Sequence, residues 1–291
     1  MEDYLVRAMA KEAGVRGIVC TTANLVNHVA GRHETSPTIT AVLGRALTGG
    51  ALMGALLKVQ NRVALKSEGT GPVQKVIVEA DSYGKVRGYP GVPDVDLPLQ
   101  NGRYDVTGAI GRAGLLTVIR DVGLPKLAES VTPLATGETD TDLNAYFNQS
   151  EQIPTVVAIG INQDEAGKTA VAGGILLQAI PPYDENIIVQ MADRILELPP
   201  IEELLQSGKT PEAIMALLFE GMEYNLLEKR PIKFQCDCSR ERSEQALITL
   251  GKEEIKSLLQ NEGQAVIDCH FCHETYVFDA FDLELILEEL D

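Results

Sequence analysis

Two cysteine pairs lie close to the C-terminal end of this 291-residue chain, Cys236-Asp237-Cys238 and Cys269-His270-Phe271-Cys272, while the fifth cysteine, Cys20, stands far from them. Zinc binds thiolates tetrahedrally. Two short pairs brought together by an intervening fold supply four sulfurs, the closed arrangement of a structural site. A C-x-x-C pair is an ordinary half-site, but a C-x-C pair is not. Along an extended strand, residues i and i+2 lie at most about 7 Å apart and point to the same face. Both sulfurs of Cys236 and Cys238 can therefore meet one metal if the chain bends there. That separation is also near the upper end for a disulfide, about 4.4–6.8 Å between α-carbons. Each pair can oxidise locally, which would remove all four ligands and leave nothing tying residue 238 to residue 269. The expected cofactor is one zinc per chain, held in the reduced state by Cys236, Cys238, Cys269 and Cys272. His270 and His273 flank the second pair, where an imidazole can replace a thiolate as ligand or, when protonated, favour thiolate and speed oxidation.

Composition limits the context of this centre. A chain 45% hydrophobic can bury a large core, and its length favours two domains over one. No apolar run approaches the ~18 residues that span a bilayer, and the opening Glu2-Asp3-Tyr4 lacks the basic start of a signal peptide. A soluble, cytoplasmic protein is expected, with no membrane partner. In that compartment thiols are kept reduced, so clustered cysteines point to metal ligands or redox sensors. The net charge of −17 is uneven: residues 1–182 contribute −2, residues 183–231 contribute −6 and residues 232–291 contribute −9. A zinc ribbon that grips nucleic acid needs a basic face to neutralise phosphates. Here the sign is opposite, and no nucleic-acid partner is expected.

The elements that must position the cysteines follow from hydrophobic period and punctuation. Segments Leu5–Ala10 and Val15–Thr21 read as a hairpin around Ala13-Gly14. A helical stretch through Leu25 and Val29 follows, then a longer helix from Pro37 to about Lys58, with Pro37 suited to a first turn. Further strands are predicted at Arg62–Ser67, Val73–Ala80, Lys85–Tyr89, Leu115–Arg120, Thr155–Ile161 and Thr169–Ala179. Short connections favour an antiparallel sheet with helices on one side, an α+β fold. Pro181-Pro182 closes this region. In residues 183–231, Ile188, Met191, Ile195 and Leu198 follow helical spacing, Pro199-Pro200 interrupts it, and Ile214, Leu217, Leu218 and Met222 resume it. Short amphipathic helices are marginal in water, so this helical linker needs another surface to stay folded.

The last segment is predicted as a small unit. Ser239 caps a helix carrying Ala246, Leu247 and Leu250, and Ile255, Leu258 and Leu259 mark a second. Strands Ala265–Asp268 and Thr275–Phe278 flank the Cys269–Cys272 knuckle, and Leu283, Ile286, Leu287 and Leu290 form a final helical stripe. Domains of this size usually need a staple. The expected organisation is an N-terminal domain over 1–182, a metastable helical linker over 183–231 and a C-terminal zinc domain over 232–291.

The run Lys233-Phe234-Gln235-Cys236-Asp237-Cys238-Ser239-Arg240-Glu241-Arg242, with Cys269-His270-Phe271-Cys272 and Tyr276-Val277-Phe278, resembles the heat-shock protein family of thirty-three kilodaltons, the redox-regulated holdase chaperones. The likeness extends to His33-Glu34-Thr35-Ser36-Pro37, Leu43-Gly44-Arg45, Gly69-Thr70-Gly71-Pro72, Val86-Arg87-Gly88-Tyr89 and Gly173-Gly174-Ile175-Leu176-Leu177-Gln178. The resemblance implies an ATP-independent chaperone, inactive while reduced and zinc-bound. Oxidants such as peroxide or hypochlorous acid would form Cys236–Cys238 and Cys269–Cys272 disulfides, expel zinc and unfold the C-terminal domain and linker. It also implies a homodimer when active, with unfolded proteins as clients, and no enzymatic activity. The flanking histidines depart from the family's usual residues.

Several competing readings are weaker. Gly167-Lys168-Thr169 and Gly208-Lys209-Thr210 imitate the end of a phosphate loop, but its first glycine would fall at Asn162 or Glu203. Gly50-x-x-x-Gly54 points to close helix packing in a core. Cys20 reads as a buried small hydrophobe, and His28 and His33 as ordinary polar or capping residues. A nucleic-acid-binding zinc ribbon is disfavoured by charge. A thiol oxidoreductase is disfavoured because its C-x-x-C normally opens a helix, whereas this one falls between strands.

Overall fold

The computed structural model describes residues 2–183 and 185–290, and the side chains of Glu185 and Ile188 lie outside the described set. The Ile188 position of the expected linker stripe therefore falls outside it. By contacts the chain divides into two compact units, 1–235 and 236–291.

The first unit begins with β1 (Tyr4–Ala10) and β2 (Val15–Thr21), the expected hairpin, followed by α1 (Ala23–His33) and α2 (Pro37–Ala55). Ser36 caps α2 by accepting from the Ile39 N–H at 3.2 Å, and Pro37 takes the first turn. Next come β3 (Arg62–Gly69), β4 (Lys75–Asp81), β5 (Lys85–Pro90), α3 (Val106–Ile110), β6 (Gly114–Asp121), β7 (Ala128–Pro133), α4 (Thr139–Tyr146), β8 (Thr155–Gln163) and β9 (Thr169–Ala179). The unit closes with α5 (Glu185–Glu197), α6 (Ile201–Gln206), α7 (Pro211–Leu218), β10 (Asn225–Pro231) and β11 (Lys233–Phe234).

These strands form two sheets, ordered β10-β1-β2-β9-β8 and β11-β5-β4-β3-β6-β7. Pairing is antiparallel throughout except between β11 and β5. The expected antiparallel α+β fold is present, resolved into two sheets rather than one. The helix α2 explains the division. It is apolar all round and nearly every one of its residues is buried, and such a helix must be enclosed on all sides. It contributes Ile39, Val42, Leu43, Leu47, Leu52 and Met53 to a core shared with strands of both sheets. A Cβ on Gly50 would meet Val78, and one on Gly54 would meet the Asp81 carbonyl at 2.8 Å, so these glycines let α2 lie directly on β4.

The five-stranded sheet is covered on both faces, whereas helices on one side were expected. Along β2, Ile18 and Cys20 join the α2 core, while Val15 and Val19 join a second core with Met191, Ile201, Leu204, Ile214, Met215, Leu218 and Phe219. Strand alternation thus directs one face to α2 and the other to α5–α7. The helices of 183–231 cover apolar sheet, as their stripe required. Strand β10 was not read from sequence; it pairs with β1, Tyr4 opposite Pro231.

The second unit contains α8 (Arg240–Ile248), α9 (Lys252–Asn261), β12 (Ala265–Asp268), β13 (Thr275–Phe278) and α10 (Ala280–Glu289). Both predicted strands are present with the predicted bounds, paired antiparallel with Ala265 opposite Phe278. The core here is small: Leu247, Ile255, Ala265, Phe278, Leu283 and Ile286.

Candidate metal centre

The first half-site lies between β11 and α8. Ser239 caps α8, its hydroxyl accepting from the Arg242 N–H at 3.3 Å. The Arg242 guanidinium reaches back to donate to the Asp237 carbonyl at 2.6 Å. This contact fixes the peptide between the two cysteines and makes the bend a C-x-C half-site requires. The second half-site is the tip of the β12–β13 hairpin. Cys269 N–H donates to the Glu274 carbonyl at 2.9 Å, and Cys272 and His273 N–H both donate back to the Cys269 carbonyl, at 3.3 and 2.8 Å. His273 takes the left-handed conformation, φ 57°, that reverses the chain.

Arg240 holds these pieces in register. Its guanidinium donates to the Val277 carbonyl and to Asp282, both at 2.6 Å, and lies 4.3 Å from the centre of the Phe278 ring. Sequence reasoning quoted Arg240 and Arg242 as motif but assigned them no part. Arg242, in the first turn of a helix capped by Ser239, is placed to turn back onto the preceding loop, whereas the partners of Arg240 lie on β13 and α10 and leave no local signal.

The four sulfurs of Cys236, Cys238, Cys269 and Cys272 all lie within 4.8 Å of one another, and the group can hold a metal ion. Two close separations run between half-sites, 3.7 Å for Cys236–Cys269 and 3.3 Å for Cys238–Cys272. Four thiolates around a metal at about 2.3 Å would stand roughly 3.8 Å apart, so the donor set suits a tetrahedral ion. None of the four cysteines is in a disulfide, and all are partly buried. Burial pushes the Cys269 and Cys272 thiols up. At Cys272 the sulfurs of Cys238, Cys269 and Cys236 push the same way, against a backbone hydrogen bond that lowers it. Such thiols resist ionising together unless a cation shares the site, which is what a metal would provide.

The other singled-out residues fall elsewhere. His270 and His273 are exposed, and their ring nitrogens are not among the clustered ligand atoms. Cys20 is wholly buried in the α2 core, and burial pushes its thiol up to about 12. His28 packs its ring 4.8 Å from that of Phe234 and accepts from Arg32 at 2.9 Å, while His33 is buried at the end of α1. Gly167 turns the chain from β8 to β9, and Gly208 lies just before Thr210, the cap of α7, so neither phosphate-loop imitation forms one. Among the described residues no helix is long and apolar enough to cross a membrane.

Comparison with known proteins gives this centre a lineage. The family described as Hsp33 protein matches residues 3–279. A 33 kDa chaperonin of Geobacter sulfurreducens is 46% identical over 288 residues, covering 99% of this chain and 96% of that protein. One from Geobacillus kaustophilus is 41% identical, covering 98% and 97%. Among solved structures, the 33 kDa chaperonin of Thermotoga maritima, a heat shock protein 33 homolog, superposes with a TM-score of 0.88 at 35% identity, covering 99% of this chain and 98% of that one. Fold, cysteine centre and relatives together define a chaperone. The chain belongs to the Hsp33 family.

Proposed function

We propose that this chaperone is a redox-regulated, ATP-independent holdase of the cytoplasm, inactive when reduced and zinc-bound. The observation that carries the reading is the group of four cysteine sulfurs within 4.8 Å of one another on a unit with so small a core. Cys236, Cys238, Cys269 and Cys272 would hold one zinc, which when bound supplies the cross-link that keeps both half-sites together. A unit well below ~70–80 residues rarely draws more than about 3–5 kcal/mol from its core. Zinc in comparable small domains contributes about 10–16 kcal/mol.

Oxidation acts on the sulfurs. Each disulfide forms as two thiolates lose two electrons to an oxidant such as a hydroperoxide, whose O–O bond breaks and whose two oxygens take two protons from solvent and leave as water or alcohol. Cys236–Cys238 and Cys269–Cys272 bonds remove all four ligands while leaving the half-sites unlinked. The unit then unfolds and the linker 183–231 loosens. Apolar surface of α5–α7 and of the sheet face they cover then becomes available to unfolding clients, with a homodimer as the active form. An acidic C-terminal region argues against a nucleic-acid-binding ribbon, and a knuckle between strands argues against a thiol oxidoreductase.

Peptide mapping of peroxide-treated protein under non-reducing conditions tests the reading. The two local bonds are expected. Because two close sulfur pairs join different half-sites, a dominant Cys238–Cys272 or Cys236–Cys269 bond is the informative alternative. It would staple the unit instead of releasing it and would contradict the mechanism.

A further inference from the structure

Beside the four sulfurs stands a phenol whose role the proposed switch leaves unassigned. Tyr276 lies on β13, partly buried against the small core of the second unit, and its O–H donates to the Cys238 sulfur at 3.3 Å. Its strand neighbour Ile267 packs into the same core, so the ring that aims the hydroxyl is set by packing. Cys238 thus sits between the Cys272 sulfur, also at 3.3 Å, and a neutral donor.

We propose that Tyr276 is a positioning residue that restrains Cys238, setting how readily its sulfur gives up electrons and how firmly it stays in the ligand set. This rests on the reading of the centre as metal-bound thiolates. A hydrogen bond to an anionic sulfur is stronger than one between neutral groups, and a sulfur that shares its charge with a donor is both less basic and less nucleophilic. The step it slows is explicit. The Cys238 sulfur attacks one oxygen of a hydroperoxide, the O–O bond breaks, and the departing oxygen leaves with a proton as water or alcohol. The sulfur, now a sulfenic acid, is attacked by the Cys236 thiolate; its S–O bond breaks and hydroxide leaves, taking a proton as water. A donor on Cys238 withdraws charge from the first attack. Outer-shell donors of this kind also orient ligands, and losing one typically weakens metal binding about 10- to 100-fold.

The test compares the full-length, zinc-loaded protein with Tyr276→Phe, which keeps the ring and removes the hydroxyl. Cys238 should react with iodoacetamide severalfold faster, because its sulfur no longer shares charge with a donor, while the other three cysteines keep their relative rates. In cobalt-substituted protein the thiolate-to-metal charge-transfer band should move to lower energy. Placing 3-fluorotyrosine at position 276, a more acidic donor, should slow Cys238, and this arm holds even if the phenylalanine variant folds poorly. Equal Cys238 rates and unshifted bands in all three proteins would overturn the proposal. So would uniform acceleration of all four cysteines, which marks mere loosening of the unit. Wild-type protein that holds neither zinc nor cobalt would instead overturn the metal-centre reading on which the proposal rests.

Discussion

At the scale of single residues, what separates a candidate metal ligand from the buried Cys20 is company. Cys236, Cys238, Cys269 and Cys272 share a partly exposed cluster, whereas Cys20 is wholly buried and has its thiol pushed up to about 12. Replacing Cys236 or Cys269 by serine should abolish stoichiometric zinc in reduced protein, while Cys20→Ala should leave it at one per chain. Metal analysis of the purified variants checks both expectations, and full zinc in Cys236→Ser would refute the ligand set. The four cysteines that cluster were legible from spacing alone. The groups that shape the centre were less so: Arg240, Arg242 and Tyr276 act through backbone carbonyls and one sulfur brought near only by folding. A second residue-scale device lies in the first unit. Glu212 on α7 accepts from Tyr4 on β1 at 2.7 Å and from Lys229 on β10 at 2.9 Å. Partial burial alone would raise the Glu212 carboxyl, but the bonds from Lys229 and Tyr4 win and hold it at about 2. A depressed carboxylate stabilises the fold above its unfolded value and loses that contribution as pH falls through the folded one. The anchoring of α7 should therefore weaken between about pH 4.5 and 2. Hydrogen exchange of α7 measures it, and Glu212→Gln should remove that pH dependence.

At the scale of elements, the decisive surface is the sheet face beneath α5–α7. Ile214, Met215, Leu218 and Phe219 are its fully buried contacts from α7 and the residue that follows it, while Ile195 and Leu217 are only partly buried. Leu218→Ala should cost about 2–5 kcal/mol within the linker and give client binding under reducing conditions with zinc retained. A second route to the same state is Gly17→Val on β2. A Cβ there would meet the Phe219 ring at 2.7 Å and the Met215 sulfur at 2.8 Å, so the side chains that seat α7 on the sheet must shift. In either variant, hydrogen exchange should show residues 185–218 losing protection while 236–290 keeps its own. If the linker opens with zinc bound and no client is held, linker exposure is not the activating event. Elements with a clear period were readable, among them β2, β9, β12 and β13, whose bounds match the expectation. Three were not. Strand β7 is an edge strand with Glu129 exposed, α4 is largely polar, and β10 owes its strand form to pairing with β1. Edge, polar and partner-dependent segments carry little local signal. The division into two sheets was available in principle, since the apolar circumference of α2 demands a layer on each side.

At the scale of the whole molecule, stability is divided unequally between the units. The first has two extensive cores, while among the described residues the second has six buried apolar residues and the cysteine cluster. Zinc chelation under reducing conditions should therefore unfold 236–291 while strands β1–β9 remain protected, a difference that limited proteolysis can map. Loss of both units together would show that zinc staples more than the second one. The acidic C-terminal region was legible from composition, and it anticipates that reduced protein binds neither DNA nor RNA at any salt concentration. What composition could not supply is how the units divide, because the boundary after Gln235 follows from contacts made in the fold. The most direct measurement is suppression of aggregation of a chemically unfolded client by reduced and by peroxide-oxidised full-length protein, with zinc release followed in the same samples. Oxidised protein should hold the client with no ATP present, in proportion to the zinc released, and reduced protein should not. Equal protection by both forms, or zinc release without any gain in protection, would contradict the redox switch.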